Sequence, residues 1–190
     1  MSESGIGSRV SERPAPVPSN PDLAVVEAWV AELDEHRLGP SGRVAMLVET
    51  PRPHEHAERE SVQAVPGKGF AGAHGRKSFY LGKHVPGREV SAVALDTLRV
   101  LGVDPIVVGD NLITEGFDLA ALEPGDRVQV GEEVVLARSE RAHRPCSVFR
   151  ERTSPEAFAV VRQQRYRGAL FVGERGGTIR LGDRIERIAD

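Results

Sequence analysis

From Gly42 onward the sequence predicts a mainly β fold with minor α, a barrel carrying short peripheral helices. Three observations predict it. Short runs rich in Val, Ile and Leu recur between clusters of Gly, Pro and charged residues, the pattern of a barrel or sandwich rather than of alternating βαβ units. One local design is used twice, in Gly125-Asp126-Arg127-Val128 and Gly182-Asp183-Arg184-Ile185, where a Gly-Asp turn feeds a strand; the unit is too short to count as an internal repeat. The stretch from Val130 through Gly131-Glu132 to Val134 reads as a tight hairpin, because glycine tolerates the positive φ such turns require.

The elements follow in order. Residues 1–21 lack periodicity, and their Ser, Pro and Glu content buries too little apolar surface to offset the entropy of ordering, so a disordered tail is expected. Val26, Trp29, Val30 and Leu33 then fall at helical spacing and Gly39-Pro40 punctuates the end, which predicts an amphipathic helix over 22–40 appended to a main domain of residues 41–190. Strands are predicted at 43–48, 61–65, 89–95, 106–108, 127–130, 134–138, 169–172, 178–181 and 184–188. Helical segments interrupt them at 96–101 and from Pro155 to about Arg165.

Composition narrows the function. A chain of 190 residues suits one ordinary domain with an appendage, and 39% hydrophobic with 28% charged residues is the balance of a soluble globular protein. No stretch approaches the roughly 18 apolar residues of a membrane span, and the start of the chain has no apolar signal region, so a cytoplasmic protein without membrane partners is expected. The net charge is −3 and Lys and Arg are interleaved with Asp and Glu, which argues against a nucleic-acid surface. The single cysteine, Cys146, cannot close an internal disulfide; its thiol is left for burial or for reactivity in a reducing compartment.

Three segments carry a family resemblance: Pro66-Gly67-Lys68-Gly69-Phe70-Ala71-Gly72, then Gly109-Asp110-Asn111-Leu112-Ile113-Thr114-Glu115-Gly116-Phe117-Asp118-Leu119, then Arg144-Pro145-Cys146. In order and spacing, over about residues 41 to 188, they resemble the MOSC domain, the β-barrel module named after the C-terminal region of molybdenum cofactor sulfurases. Three departures from the family's usual forms stand out. Ala73 replaces an aspartate after the glycine loop, Asp110 replaces a glutamate, and an extra residue sits between Leu112 and Thr114.

The resemblance implies a MOSC-type β-barrel in which Cys146 is either a ligand to the metal of molybdenum cofactor or the holder of a persulfide for delivery to a metal-sulfur centre. Softness permits both, since a thiolate suits a soft or sulfur-rich centre. Nearby cations favour the thiolate, and Arg141, His143 and Arg144 all lie within five residues. Pro145 removes a backbone donor and suggests a strand ending near a barrel mouth; alternation along that strand would place Arg144 on the face of Cys146 and His143 on the other. The cofactor is a pterin dithiolene with a phosphate or nucleotide tail. Lys68, Arg88 and Arg144 are candidates to bind that anion, helped by close approach of the glycine-loop backbone, while Asn111 and Thr114 would add neutral hydrogen bonds. A solvated surface charge is the competing reading for Lys68 and Arg88. A buried, inert thiol is the competing reading for Cys146.

Other chemistries find less support. His54-Glu55-His56 lies beside Pro51 and Pro53 in what reads as a polar loop, so surface histidines are expected there, whereas His74 and His84 flank the glycine loop and are candidates to line a pocket. No Ser-His-Asp order or Walker-type phosphate loop is visible. No lysine argues for pyridoxal phosphate, and the desulfurase domain of the larger sulfurases has no counterpart in this sequence. Three readings remain: a small molybdenum-dependent oxidoreductase acting on N-hydroxylated compounds with an external electron-transfer protein, a sulfur carrier fed by a separate cysteine desulfurase, and a degenerate structural barrel.

Overall fold

The computed structural model describes residues 20–36, 38–52, 55–73, 79–80, 83–84 and 86–189. The tail expected over 1–21 falls almost wholly outside these residues, as do His54 and His74. The chain begins with α1 (Leu23–Glu35), followed by β1 (Ser41–Arg52), β2 (Glu55–Arg59), β3 (Ser61–Val65), β4 (Gly69–Phe70), β5 (Phe79–Tyr80) and β6 (Lys83–His84). The middle of the chain holds β7 (Val90–Ala94), α2 (Leu95–Val100), α3 (Pro105–Val108), β8 (Leu112–Glu115), β9 (Arg127–Val130) and β10 (Val134–Arg138). The remainder is α4 (Ser147–Arg152), α5 (Pro155–Val161), β11 (Ala169–Arg175), β12 (Gly177–Arg180) and β13 (Arg184–Ile188).

Seven strands close into a barrel in the order β13-β9-β10-β11-β7-β8-β1, sealed by pairing of β1 with β13, and β2 extends the sheet on the far side of β1. Pairing is antiparallel throughout except between β7 and β8. A parallel pair needs a long crossover, and α2 with α3 supplies it. Val44, Ala92, Leu112, Val128, Leu136 and Phe171 are among the side chains that fill the barrel, joined by Val62, Phe70 and Ile179 from the small sheet of β12, β3 and β4. The opposite faces of β7 and β8, through Val93 and Ile113, meet a second apolar layer built from α1 to α5, with Leu33, Leu98, Val108, Phe149 and Val160 at its centre. Alternation along each strand thus sorts one set of residues to the interior and the next to the helices.

Two expectations are corrected here. Residues 106–108 are helical, because Asp104 accepts a hydrogen bond from the Ile106 amide at 3.1 Å and Pro105 occupies the first turn, which outweighs the β-branched Ile-Val-Val run. Cys146 does not end a strand. Residues 142–146 are irregular and lead directly into α4, with Cys146 as its N-cap in an extended conformation.

Candidate functional site

Four pieces of chain converge around the segment that carries Cys146. The first is the segment itself, which leaves β10 at Ser139. The Ser139 amide donates to Leu170 O at 2.8 Å, and its hydroxyl accepts from the Arg141 amide at 3.1 Å. The second is the loop before β7: Arg141 Nε donates to Pro86 O at 2.7 Å, and Gly87 packs directly against Ser139. The third is Asp110-Asn111 at the entry to β8, and the fourth is Arg167 before β11.

A buried polar network joins them. Asp110, Arg167 and His143 expose only 2%, 3% and 8% of their surfaces, so their charges must be settled internally. Arg167 Nη1 donates to Asp110 Oδ2 at 2.5 Å, and His143 Nε2 lies 3.2 Å from Asp110 Oδ1. The Arg167 guanidinium also sits 5.3 Å from the centre of the Phe149 ring, on α4. Burial, reinforced by the Arg167 charge, lowers the His143 pKa from 6.5 to about 3, with the Asp110 charge and the Ala92 backbone offsetting part of the effect and Arg88 adding to it. The imidazole is therefore neutral and carries one ring proton, for which the Asp110 carboxylate and the Ala92 backbone carbonyl are the acceptors at hand. Among the described residues Nδ1 is within hydrogen-bond geometry of no partner, Cys146 included. A Cys-His pairing of the kind that activates a thiol nucleophile is absent from this arrangement.

The His143 shift has a measurable consequence. The imidazole stays neutral in the fold but takes up a proton below about pH 6.5 in the unfolded chain, so unfolding binds a proton between pH 6.5 and about 3. Stability falls as pH drops through that window, by about 1.4 kcal/mol per unit at most. Chemical denaturation at pH 7 and at pH 5 should give a loss near 2 kcal/mol for the wild type from this group. The loss should be smaller by that amount in His143→Gln, which does not titrate.

The six residues singled out from the sequence are placed unequally. Cys146 and Arg144 are exposed, while His143, just before Arg144 in the chain, is turned inward, so the expected opposition of Arg144 and His143 is found in an irregular segment. Arg88 is exposed and close enough to bear on the His143 charge. Among the described residues neither Arg88 nor Arg144 is joined to a carboxylate by an ion pair. Lys68 is exposed on the turn between β3 and β4, and that turn is tied to the same region because the Gly67 amide donates to Glu89 Oε2 at 3.0 Å.

The other two residues are committed elsewhere. Asn111 is buried: its Oδ1 accepts from Ser91 N and Oγ at 3.3 and 3.2 Å, and its Nδ2 donates to Val48 O at 3.3 Å. It straps β7 to β1 across the start of β8. Thr114 faces into the barrel, opposite Val44 and Ala94, fully buried and, among the described residues, with no partner for its hydroxyl; the structure does not bring it to the Cys146 segment.

The glycine loop is likewise occupied. Glu89 Oε2 takes the amides of both Gly67 and Gly173, at 3.0 and 2.8 Å, and Glu49 Oε1 takes the Gly72 amide at 3.0 Å. The anions held by this backbone are the protein's own carboxylates. Ala73, in place of the family's aspartate, packs against the barrel interior. His56, expected on a surface loop, is a half-buried residue of β2 with Nδ1 2.6 Å from Ile106 O.

The sequence reading missed Asp110 and Arg167 as site residues. Asp110 stood inside the recognised motif, and its departure from the usual glutamate was the available signal. Arg167 had none, since it meets Asp110 across 57 residues of chain.

Comparison with known proteins adds the following. The MOSC domain model matches residues 84–186, more than half of the chain. Among solved structures, the chain is similar to the YuaD protein from Bacillus subtilis, with a TM-score of 0.61 and 20% identity over 79% of this chain and 97% of that one. It is also similar to YiiM from Geobacillus stearothermophilus, with a TM-score of 0.53 and 14% identity over 79% of this chain and 76% of that one. At such identities these likenesses speak to the fold. No curated protein matches the chain. With a closed barrel, helices gathered on one side of it and a family match over most of the same strands, the chain belongs to the MOSC domain family.

Proposed function

We propose that this protein binds molybdenum cofactor, with Cys146 as the protein ligand to the metal, and acts as a small oxidoreductase on N-hydroxylated compounds. The observation that carries the reading is the exposed Cys146 thiol two residues from the exposed Arg144, with neither Arg144 nor Arg88 in an ion pair with a carboxylate among the described residues. The donor set fits the group. A thiolate is a soft ligand suited to a sulfur-rich metal centre, and guanidinium forks match the oxygens of a phosphate tail. Among the described residues no three His, Cys, Asp or Glu side chains are arranged to hold a metal ion, which suits a metal that arrives with dithiolene ligands of its own. Bound there, the cofactor supplies two-electron redox chemistry, with electrons drawn from a separate electron-transfer protein.

The chain's own residues have distinct parts in this reading. Cys146 contributes the sulfur; Arg88 and Arg144 hold the anionic tail, with Lys68 at the edge of the same region. Asn111 keeps β1, β7 and β8 in register beneath them and does not touch the ligand, and Thr114 has no part in binding. Because Glu89 and Glu49 already fill the glycine-loop amides, the arginines take the larger share of anion recognition.

The test is metal and pterin analysis of protein purified from a cofactor-competent host. Near-stoichiometric molybdenum is expected in the wild type and its loss in Cys146→Ala, with weaker retention in a folded Arg88→Ala variant. Molybdenum absent from the wild type, with cyanide-labile sulfur that disappears in Cys146→Ala, would replace this reading with that of a sulfur carrier served by a cysteine desulfurase. Neither signal would point to a structural barrel.

A further inference from the structure

The segment that presents Cys146 lacks the support that usually fixes a functional side chain. Among the described residues no backbone–backbone hydrogen bond involves residues 142–145, and Cys146 caps α4 without a side-chain hydrogen bond. Yet both flanks of the thiol reach one buried anchor. Three residues before it, His143 lies against Asp110; three residues after it, Phe149 lies under Arg167, and Asp110 and Arg167 are paired with each other. The Phe149 turn is further pinned by Thr153 Oγ1, which donates to Phe149 O at 2.8 Å. Asp110 is fixed in turn by its neighbour Asn111, strapped between β1 and β7. The anchor therefore sits where the chain enters the barrel strands β8 and β11, while the thiol itself stays at the surface.

We propose that His143, seated on the Asp110–Arg167 pair, is the positioning residue for Cys146, and that Phe149 holds the other flank. The proposal rests on the reading of Cys146 as the functional thiol, but it concerns the thiol's placement and is tested without any cofactor. The segment is spanned like a short bridge with one pier on each side. Releasing the His143 pier should leave the barrel closed and Cys146 free to wander. Neighbouring groups that orient a metal ligand typically matter about 10- to 100-fold in metal affinity, so molybdenum retention should fall about 10-fold or more with the pier removed.

The experiment attaches a trifluoromethyl label to Cys146 and records its fluorine NMR spectrum in the wild type, His143→Leu, His143→Gln and Phe149→Leu. A single narrow resonance is expected in the wild type. Gln offers Asp110 an N–H, so that variant should keep the wild-type resonance. In His143→Leu the resonance should split or move toward the position of the labelled unfolded chain, with the circular dichroism of the barrel unchanged. If His143→Leu does not fold, Phe149→Leu, which keeps apolar bulk and loses only the ring beneath Arg167, should show the same loss of a single resonance. A wild-type resonance retained in the folded leucine variants would overturn the proposal. Failure of the wild type to hold molybdenum would defeat the proposed function and leave this result intact.

Discussion

Arg167→Leu is expected to destabilise the protein by about 3–5 kcal/mol, the cost of leaving one member of a buried ion pair without its partner. Asp110 exposes only 2% of its surface, and the lost guanidinium also stacks on Phe149, so water cannot take over either contact without opening the helical layer. For a domain of this size the loss corresponds to about 10 °C in Tm. The pH dependence should change as well. Removing the Arg167 charge takes away a force that keeps His143 neutral and leaves the Asp110 carboxylate to attract a proton onto the imidazole. The stability that the wild type loses between pH 6.5 and 3 through this histidine should then be lost to a smaller extent, so the gap between variant and wild type should narrow on acidification. Urea titrations at pH 7 and pH 5 measure both effects.

Gly168→Ala is expected to cost about 3 kcal/mol, for two additive reasons. Gly168 has a φ of 89°, a left-handed conformation that L side chains rarely adopt, and an added Cβ would lie 2.0 Å from the Ala92 carbonyl oxygen. That oxygen belongs to β7, whose pairing with β11 begins one residue later at Ala169 and Ala92, so relief requires the two barrel strands to separate. The same substitution displaces the neighbouring Arg167. It should therefore weaken the hold on Cys146 as well as the barrel, and thermal denaturation should show a lower Tm. An unchanged Tm would mean that the β7–β11 junction is looser than the close approach implies.

What could be read from the sequence follows from which residues speak locally. Residues 61–65, 127–130, 134–138 and 184–188 coincide with β3, β9, β10 and β13, because short β-favouring runs bounded by Gly, Pro or charged turns carry their own punctuation. Leu112–Glu115 escaped as a strand: its first three residues are all buried, as expected of a strand covered on both sides, and no alternation betrays it. Residues 106–108 misled because their β-branched side chains were weighed above the Asp104-Pro105 cap. In the candidate site, the expectations for Cys146 and Arg144 came from a motif of adjacent residues. The support was not, since His143, Asp110, Phe149 and Arg167 become neighbours only when β7, β8 and β11 assemble. Asn111 was singled out for its polarity, and that polarity is spent on Ser91 and Val48, which no local pattern foretells.

The most direct test of Cys146 as a metal ligand is the molybdenum X-ray absorption spectrum of cofactor-loaded protein, recorded for the wild type and for Cys146→Ser and normalised per molybdenum. One sulfur neighbour more is expected in the wild type than in the variant, the difference being the cysteine thiolate. Identical sulfur shells in the two proteins would contradict the assignment, and with it the function built on Cys146.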